Sequence, residues 1–256
     1  DARGPNNSIV LGDVSSLLAV GEAADVIRRG WADVMLTGGT GCRLHPTALV
    51  ARGEPHLAGA DADHTKICRP FDQRRMGMLD GEGAAVFVLE SRDHAVKRRG
   101  RIRGRVLATS SRCEPRVPGA ARTGRGLELA IRAVLGKSGL DGRTIGHVNA
   151  HGSGSHEGDR LEARGIAATL GDVPVTAPKS FFGHLGAGGG AVELAASVLG
   201  VEAGLVPATL NYEAPDPACP VNVVHGGPLA GRPATALAVN ICTMGQAAAV
   251  LVAADD

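Results

Sequence analysis

Three stretches of this sequence combine reactive side chains with glycines that let a backbone come close to a ligand. The first is Val148-Asn-Ala-His-Gly-Ser-Gly-Ser155, followed by Asp159 and Glu162. A histidine directly after a short apolar strand is held rigidly and can donate a hydrogen bond or take a proton. That histidine is His151. Gly152 and Gly154 permit close backbone approach, and Ser153 and Ser155 add hydroxyls. A loop histidine satisfied by neighbouring carbonyls is the structural alternative. The second stretch runs from Pro178 to Gly190, with Lys179 and His184 ahead of a helix and glycines at 183, 186, 188, 189 and 190. Such density asks for unusual dihedrals or very close packing. A phosphate cradle is the rival reading, but neither GxxxxGK(S/T) nor a strand-linked GxGxxG is present. The third is Gly12-Asp13-Val14-Ser15-Ser16 at a helix start, where Asp13 on its own reads as an N-cap facing the positive end of the helix dipole.

The elements that must position these groups alternate between short apolar β-rich runs and amphipathic helices, which predicts an α/β fold. Val14, Leu17, Leu18, Gly21, Ala24 and Ile27 recur at helical spacing, and Gly30 stops the helix. Residues 32–37 read as a buried strand ending in Gly38-Gly39, and 43–69 as mostly loop. Strands are expected at 84–90, 102–108, 148–150 and 173–176, and helices at 93–99, around 127–135, at 157–170 and at 191–203. The chain closes on an antiparallel pair, 235–241 and 247–253. In an α/β sheet, loops at strand ends are where ligands bind.

Composition narrows the function classes. The chain has 256 residues, 27 Lys+Arg against 26 Asp+Glu and a formal net charge of +1, so nucleic acid and anionic membrane are not expected partners. Aromatics are only 2% while glycines number 37, which calls for a core of small aliphatic side chains packed closely. There is no apolar run of about 18 residues to span a membrane. Cys42, Cys68, Cys113, Cys219 and Cys242 are widely spaced and odd in number, with no metal-ligand spacing. Reduced cysteines in a cytoplasmic protein, without metal or cofactor, are the expectation.

Taken together and in order, these segments resemble the β-ketoacyl synthases of fatty-acid and polyketide assembly. The resemblance covers essentially the whole chain. Gly4 to Gly30 resembles the family's nucleophile strand-turn-helix, and Ala32-Asp-Val-Met-Leu-Thr-Gly-Gly39 the next strand. Arg69-Pro-Phe-Asp72 with Gly81-Glu-Gly-Ala-Ala-Val86, Asn149-Ala-His-Gly152, Lys179-Ser-Phe-Phe-Gly-His-Leu185, and Pro207-Ala-Thr-Leu-Asn211 with Asp216 continue the series. The resemblance implies a thiolase-like layered α-β-α-β-α architecture. Residues 1–100 would be the C-terminal part of its first half and 101–256 its complete second half. It also implies a dimer, either with itself or with a ketosynthase. The substrate would be an acyl or malonyl group on the phosphopantetheine of an acyl carrier protein. His151 and His184 match the histidine pair that stabilises the oxygen anion during decarboxylation. Lys179 and Glu193 match the residues that support that pair, and Ser153 and Ser155 stand where the family often has threonines near the malonyl group.

Three departures accompany the resemblance. Ungapped counting from Gly4 to Gly30 puts Asp13 at the nucleophile position, where a carboxylate lacks the nucleophilicity of a thiolate. Cys242 and Met244 fall where the family has two gating phenylalanines. The chain also starts just before the nucleophile strand, which suggests a fragment, a truncated sequence or a chain completed by a partner. Two functions follow as expectations: a synthase-like enzyme that decarboxylates malonyl-carrier protein, or a non-catalytic partner resembling chain-length factors. A thiolase or coenzyme-A-dependent synthase of the same fold is a weaker alternative, with Cys242 in a setting unlike the thiolase cysteine.

Overall fold

The computed structural model describes residues 3–47, 50, 63–115, 117–231 and 234–255. Part of the expected loop at 43–69 therefore lies outside the described residues. Helix α1 (Ser15–Arg28) leads into the antiparallel hairpin of β1 (Val34–Cys42) and β2 (Glu82–Glu90). Helix α2 (Arg92–Lys97) follows, then β3 (Arg105–Cys113), α3 (Arg125–Ser138), β4 (His147–Asn149) and α4 (His156–Leu170). The remaining elements are β5 (Pro174–Thr176), the short α5 (Lys179–Phe182), α6 (Gly189–Ala203), β6 (Leu205–Val206), β7 (Asn222–Val223), β8 (Leu229–Ala230), β9 (Thr235–Ile241) and β10 (Gln246–Ala253). The main sheet is six-stranded in the order β3-β10-β9-β4-β5-β7. Strands β9, β4, β5 and β7 run parallel, and β10 is antiparallel to both its neighbours.

The two-residue period of the sheet builds two cores from one sheet. Along β10, Ala247, Ala249 and Leu251 face a cluster with Leu127, Ile131 and Val134 of α3 and Ile166 of α4. Ala248, Val250 and Val252 face the opposite cluster, with Val14, Leu17 and Val20 beside α1 and Leu194 and Val201 of α6. A strand buried on both faces reads as a continuous apolar run, as Ala247 to Ala253 does. Helices α1 and α6 also touch the β1–β2 hairpin, so they are sandwiched between two sheets. The result is layered α/β with β, α, β and α following one another, and its cores are almost free of aromatic rings.

Two expectations are corrected. The strand placed at 32–37 continues through its glycines to Cys42, because these residues stay paired with β2, and Gly41 suits the close approach of the loop before α6: a Cβ there would lie 1.7 Å from the Leu185 carbonyl oxygen. It is also not buried on both faces. Leu36 and its cross-strand partner Val88 are 68% and 61% exposed. The glycine-dense segment does not stop short of the helix either, since Gly189 and Gly190 form the first turn of α6.

Candidate active site

The site is assembled at the carboxyl ends of the parallel strands. His151 lies just beyond β4, Lys179 just beyond β5, and Cys242 just beyond β9. The His151 loop is bound to the helix that follows it. Glu162 of α4 accepts from the backbone N–H groups of His151 and Gly152 at 2.6 and 2.8 Å. Gly152 has φ +47°, and a Cβ there would lie 2.6 Å from the Ala177 Cβ, so only glycine fits without displacement. Asp159 accepts from Gly154 N–H at 3.0 Å, from the Ser153 hydroxyl at 3.2 Å and from Phe71 N–H at 2.8 Å. Ser155 caps α4 by accepting from Gly158 N–H. The hydroxyls of Ser153 and Ser155 thus lie 2.9 Å from each other, inside the cap network.

The segments around Arg69–Asp72 and Asp216 fasten this loop to its surroundings. Asp72 accepts from the backbone of Glu213 and Ala214, each at 2.7 Å. The buried guanidinium of Arg75 donates to Asp216 at 2.6 Å and to the carbonyls of Asp72 and His156 at 2.9 and 3.1 Å. Through these contacts, made within the protein, Asp72, Arg75 and Asp216 hold the site in place.

Lys179 is almost wholly buried. Its ammonium donates to the Glu193 carboxylate, to the His151 carbonyl at 2.7 Å, and approaches His151 Nδ1 at 3.1 Å. The second oxygen of Glu193 accepts from Asn240 Nδ2 at 2.6 Å. Burial pushes the Glu193 carboxyl upward, against the pull of the Lys179 charge. Burial, with Lys179 and Arg43 nearby, pushes His151 well below its ordinary value and keeps the ring neutral. His184 stacks edge-on to it with ring centroids 5.1 Å apart, and its Nδ1 accepts from Gly186 N–H at 3.1 Å.

These contacts assign the tautomers. Both Nδ1 atoms face donors: the Lys179 ammonium, with Asn240 Nδ2 at 3.3 Å, for His151, and Gly186 N–H for His184. Each neutral ring therefore carries its proton on Nε2. Two Nε2–H donors supported by a packed scaffold suit an oxygen on which negative charge develops.

Asp13 joins the two histidines. A carboxylate oxygen of Asp13 and one nitrogen of each ring lie within 4.8 Å of one another, a spacing that could hold a metal ion. The donor set argues otherwise. Metal binding at Nε2 would require moving each proton to an Nδ1 that already faces a donor, and the Asp13 carboxylate already accepts from Arg43 at 2.7 Å. The N-cap expectation for Asp13 is corrected: the residue before α1 is Val14, and no side chain caps the helix. Ser15 instead ties the turn, accepting from Leu11 N–H and donating to the Gly12 carbonyl at 2.8 and 2.6 Å. This frees the Asp13 side chain to turn toward Arg43.

Cys242 reaches the same region, since a Cβ on Gly12 would lie 3.5 Å from its Cβ. Its thiol donates to Gln246 Oε1 at 2.8 Å, while Met244 points outward and is exposed. Sequence reasoning missed Arg43 and gave Asn240 no role. The available signal for Arg43 was a basic residue at the end of a strand that otherwise reads Val-Met-Leu-Thr-Gly-Gly-Thr-Gly-Cys.

The N-terminal domain model of β-ketoacyl synthase matches residues 1–95 and the C-terminal domain model matches residues 104–213. The chain is 37% identical over 257 residues to the tetracenomycin polyketide synthase ketoacyl synthase alpha subunit of Streptomyces glaucescens, covering 98% of this chain and 60% of that protein. It is 32% identical over 231 residues to 3-oxoacyl-[acyl-carrier-protein] synthase 2 of Synechocystis, covering 88% of this chain and 56% of that protein. The chain thus spans little more than half the length of these relatives. Among solved structures, a type II polyketide acyl-carrier protein in complex with its ketosynthase superimposes with TM-score 0.90 and 27% identity, over 96% of this chain and 62% of that chain. The ishigamide ketosynthase/chain length factor does so with TM-score 0.87 and 29% identity, over 96% and 60%. With both domain models matched in order and the same layered, thiolase-like fold beneath them, this chain belongs to the β-ketoacyl synthase family.

Proposed function

We propose that this chain decarboxylates a malonyl group held as a thioester on acyl carrier protein, and that residue 13 forms no acyl-enzyme. The observation that supports the reading is the pair of Nε2–H donors of His151 and His184. Both would donate to the thioester carbonyl oxygen. As the bond between the α-carbon and the carboxylate breaks, its electron pair forms the enolate and places negative charge on that oxygen, and carbon dioxide leaves. The α-carbon then takes a proton from water, giving the acetyl thioester. Lys179 and Glu193 would keep His151 in the donating tautomer. Cys242 would border the acyl end, and Ser153 and Ser155 the malonyl end, of the bound group. A carboxylate at residue 13 is too weak a nucleophile to take the acyl group from a thioester.

The test uses the complete protein with malonyl-carrier protein. Acetyl-carrier protein and carbon dioxide are expected from the unaltered protein, with no covalent acyl-protein species by mass spectrometry. His151→Ala and His184→Ala should each lower the rate by about 10²–10³-fold, the usual loss for one oxyanion donor. A rate unchanged in both variants would overturn the reading.

A second reading is a partner subunit that shapes the acyl tunnel of an active ketosynthase. It is favoured by Asp13 at the nucleophile position, and by the similarity to a ketosynthase/chain length factor structure. Stable co-purification with a second ketosynthase, without carbon dioxide release by this chain, is the result it predicts.

A further inference from the structure

The geometry points to Arg43 as a positioning residue that acts through Asp13, cancelling the carboxylate's charge so that an anion can form beside the two histidines. This rests on the decarboxylation reading above. Arg43 leaves the end of β1 and turns into the site, where its side chain and that of Asp13 are each only 12% exposed. Its Nη2 donates to Asp13 Oδ1 at 2.7 Å, and its Nη1 lies 3.8 Å from Asp80 Oδ1. The guanidinium passes so close to Gly186 that a Cβ there would lie 2.7 Å from its Nε. Gly186 is also the residue whose N–H fixes His184 Nδ1. The arginine therefore packs against the turn that sets the tautomer of His184, while holding the carboxylate opposite that ring.

The Asp13 oxygen bound by Arg43 lies 3.8 Å from His184 Nε2. An ionised carboxylate at that distance stands next to the place where enolate charge would develop. Like charges so close in a largely buried site repel strongly, and an uncompensated carboxylate would oppose the reaction that the histidines favour. A thiol at the same position would carry no obligatory charge. Asp13 and Arg43 thus form one unit: the acid removes the nucleophile, and the base keeps that change from cancelling the oxyanion donors.

The test compares unaltered protein, Arg43→Met, Asp13→Asn and the double variant. Two measurements are made on each: carbon dioxide release from malonyl-carrier protein, and binding of two pantetheine analogues. One analogue ends in a nitronate, which carries negative charge on oxygen as the enolate does, and the other in a neutral acetyl amide. Arg43→Met should lower release and nitronate binding by about tenfold or more, as expected when one partner of a largely buried pair is removed, while acetyl amide binding is unchanged. The double variant should regain most of both losses. If the double variant is as poor as Arg43→Met, or if both analogues weaken equally, Arg43 is merely structural and the inference is overturned. If the unaltered protein releases no carbon dioxide yet the analogues separate as stated, the decarboxylation reading fails and charge compensation stands.

Discussion

Lys179 and Glu193 each retain 1% of their surface exposed, so the site takes an ion-pairing couple out of water. Each ion loses several kcal/mol of hydration on burial, and only close pairing with further hydrogen bonds offsets that loss. Here those bonds come from the His151 carbonyl and Asn240. Lys179→Met should therefore cost about 3–5 kcal/mol in urea unfolding, because it leaves Glu193 buried without its cation. The double variant Lys179→Met/Glu193→Leu should recover much of that stability but not activity, since His151 Nδ1 would lose its ammonium donor. Equal stability of the single and double variants would contradict this account. At this scale the sequence pointed to His151, Lys179, His184 and Glu193, and the structure brings these side chains together. The sequence was not legible for Arg43 and Asn240, whose partners are distant in the chain. Asp13 could be read only as a helix cap or a missing nucleophile, because nothing local shows which way its side chain turns.

At the scale of elements, glycine and buried acid set the geometry. Helix α6 begins with Gly189 and Gly190 although glycine disfavours helix, because the start of the helix is pressed against α1 and β9. A Cβ on Gly190 would lie 2.2 Å from Asn240 Oδ1 and 2.8 Å from Leu17 Cγ. Gly190→Ala should lower stability by about 1–3 kcal/mol through overpacking, and should also reduce activity by displacing Asn240 from Glu193. A stable, fully active variant would show that the close approach is dispensable. Glu162, which ties α4 to the His151 loop, is raised by burial from 4.5 to about 8. The folded state therefore keeps this proton to higher pH than the unfolded chain does. Stability from this group is present below about 4.5 and lost as pH rises through about 8. Asp159 and Glu193, also raised by burial, act in the same direction. The urea midpoint should fall between pH 5.5 and 8.5 by less in Glu162→Gln than in the unaltered protein, and parallel profiles would argue against this assignment. The density of glycines was visible in the sequence, but not which neighbour each one accommodates.

For the whole molecule, alternating apolar and reactive segments were enough to specify layered α/β and the antiparallel close of the chain. The outer face of the β1–β2 hairpin was not, because a run such as Val-Met-Leu-Thr reads the same whether one or both faces are covered. Leu36 and Val88 stand side by side on that face. Contiguous exposed apolar surface promotes association, so Leu36→Thr/Val88→Thr should weaken concentration-dependent self-association in light scattering. Thermal stability should hardly change, as is usual for surface substitutions. Loss of stability without change in association would mean that the face is part of a core. Among the described residues, no helix is long and apolar enough to cross a membrane. The proposal joins all three scales: on a β-ketoacyl synthase scaffold with Asp13 at the proposed nucleophile position, His151 and His184 would stabilise an enolate. It is tested most directly by following labelled carbon dioxide from malonyl-carrier protein with the complete protein beside His151→Ala/His184→Ala. Release by the unaltered protein that disappears in the double variant is the predicted result, and no release, or equal release from both, would contradict it.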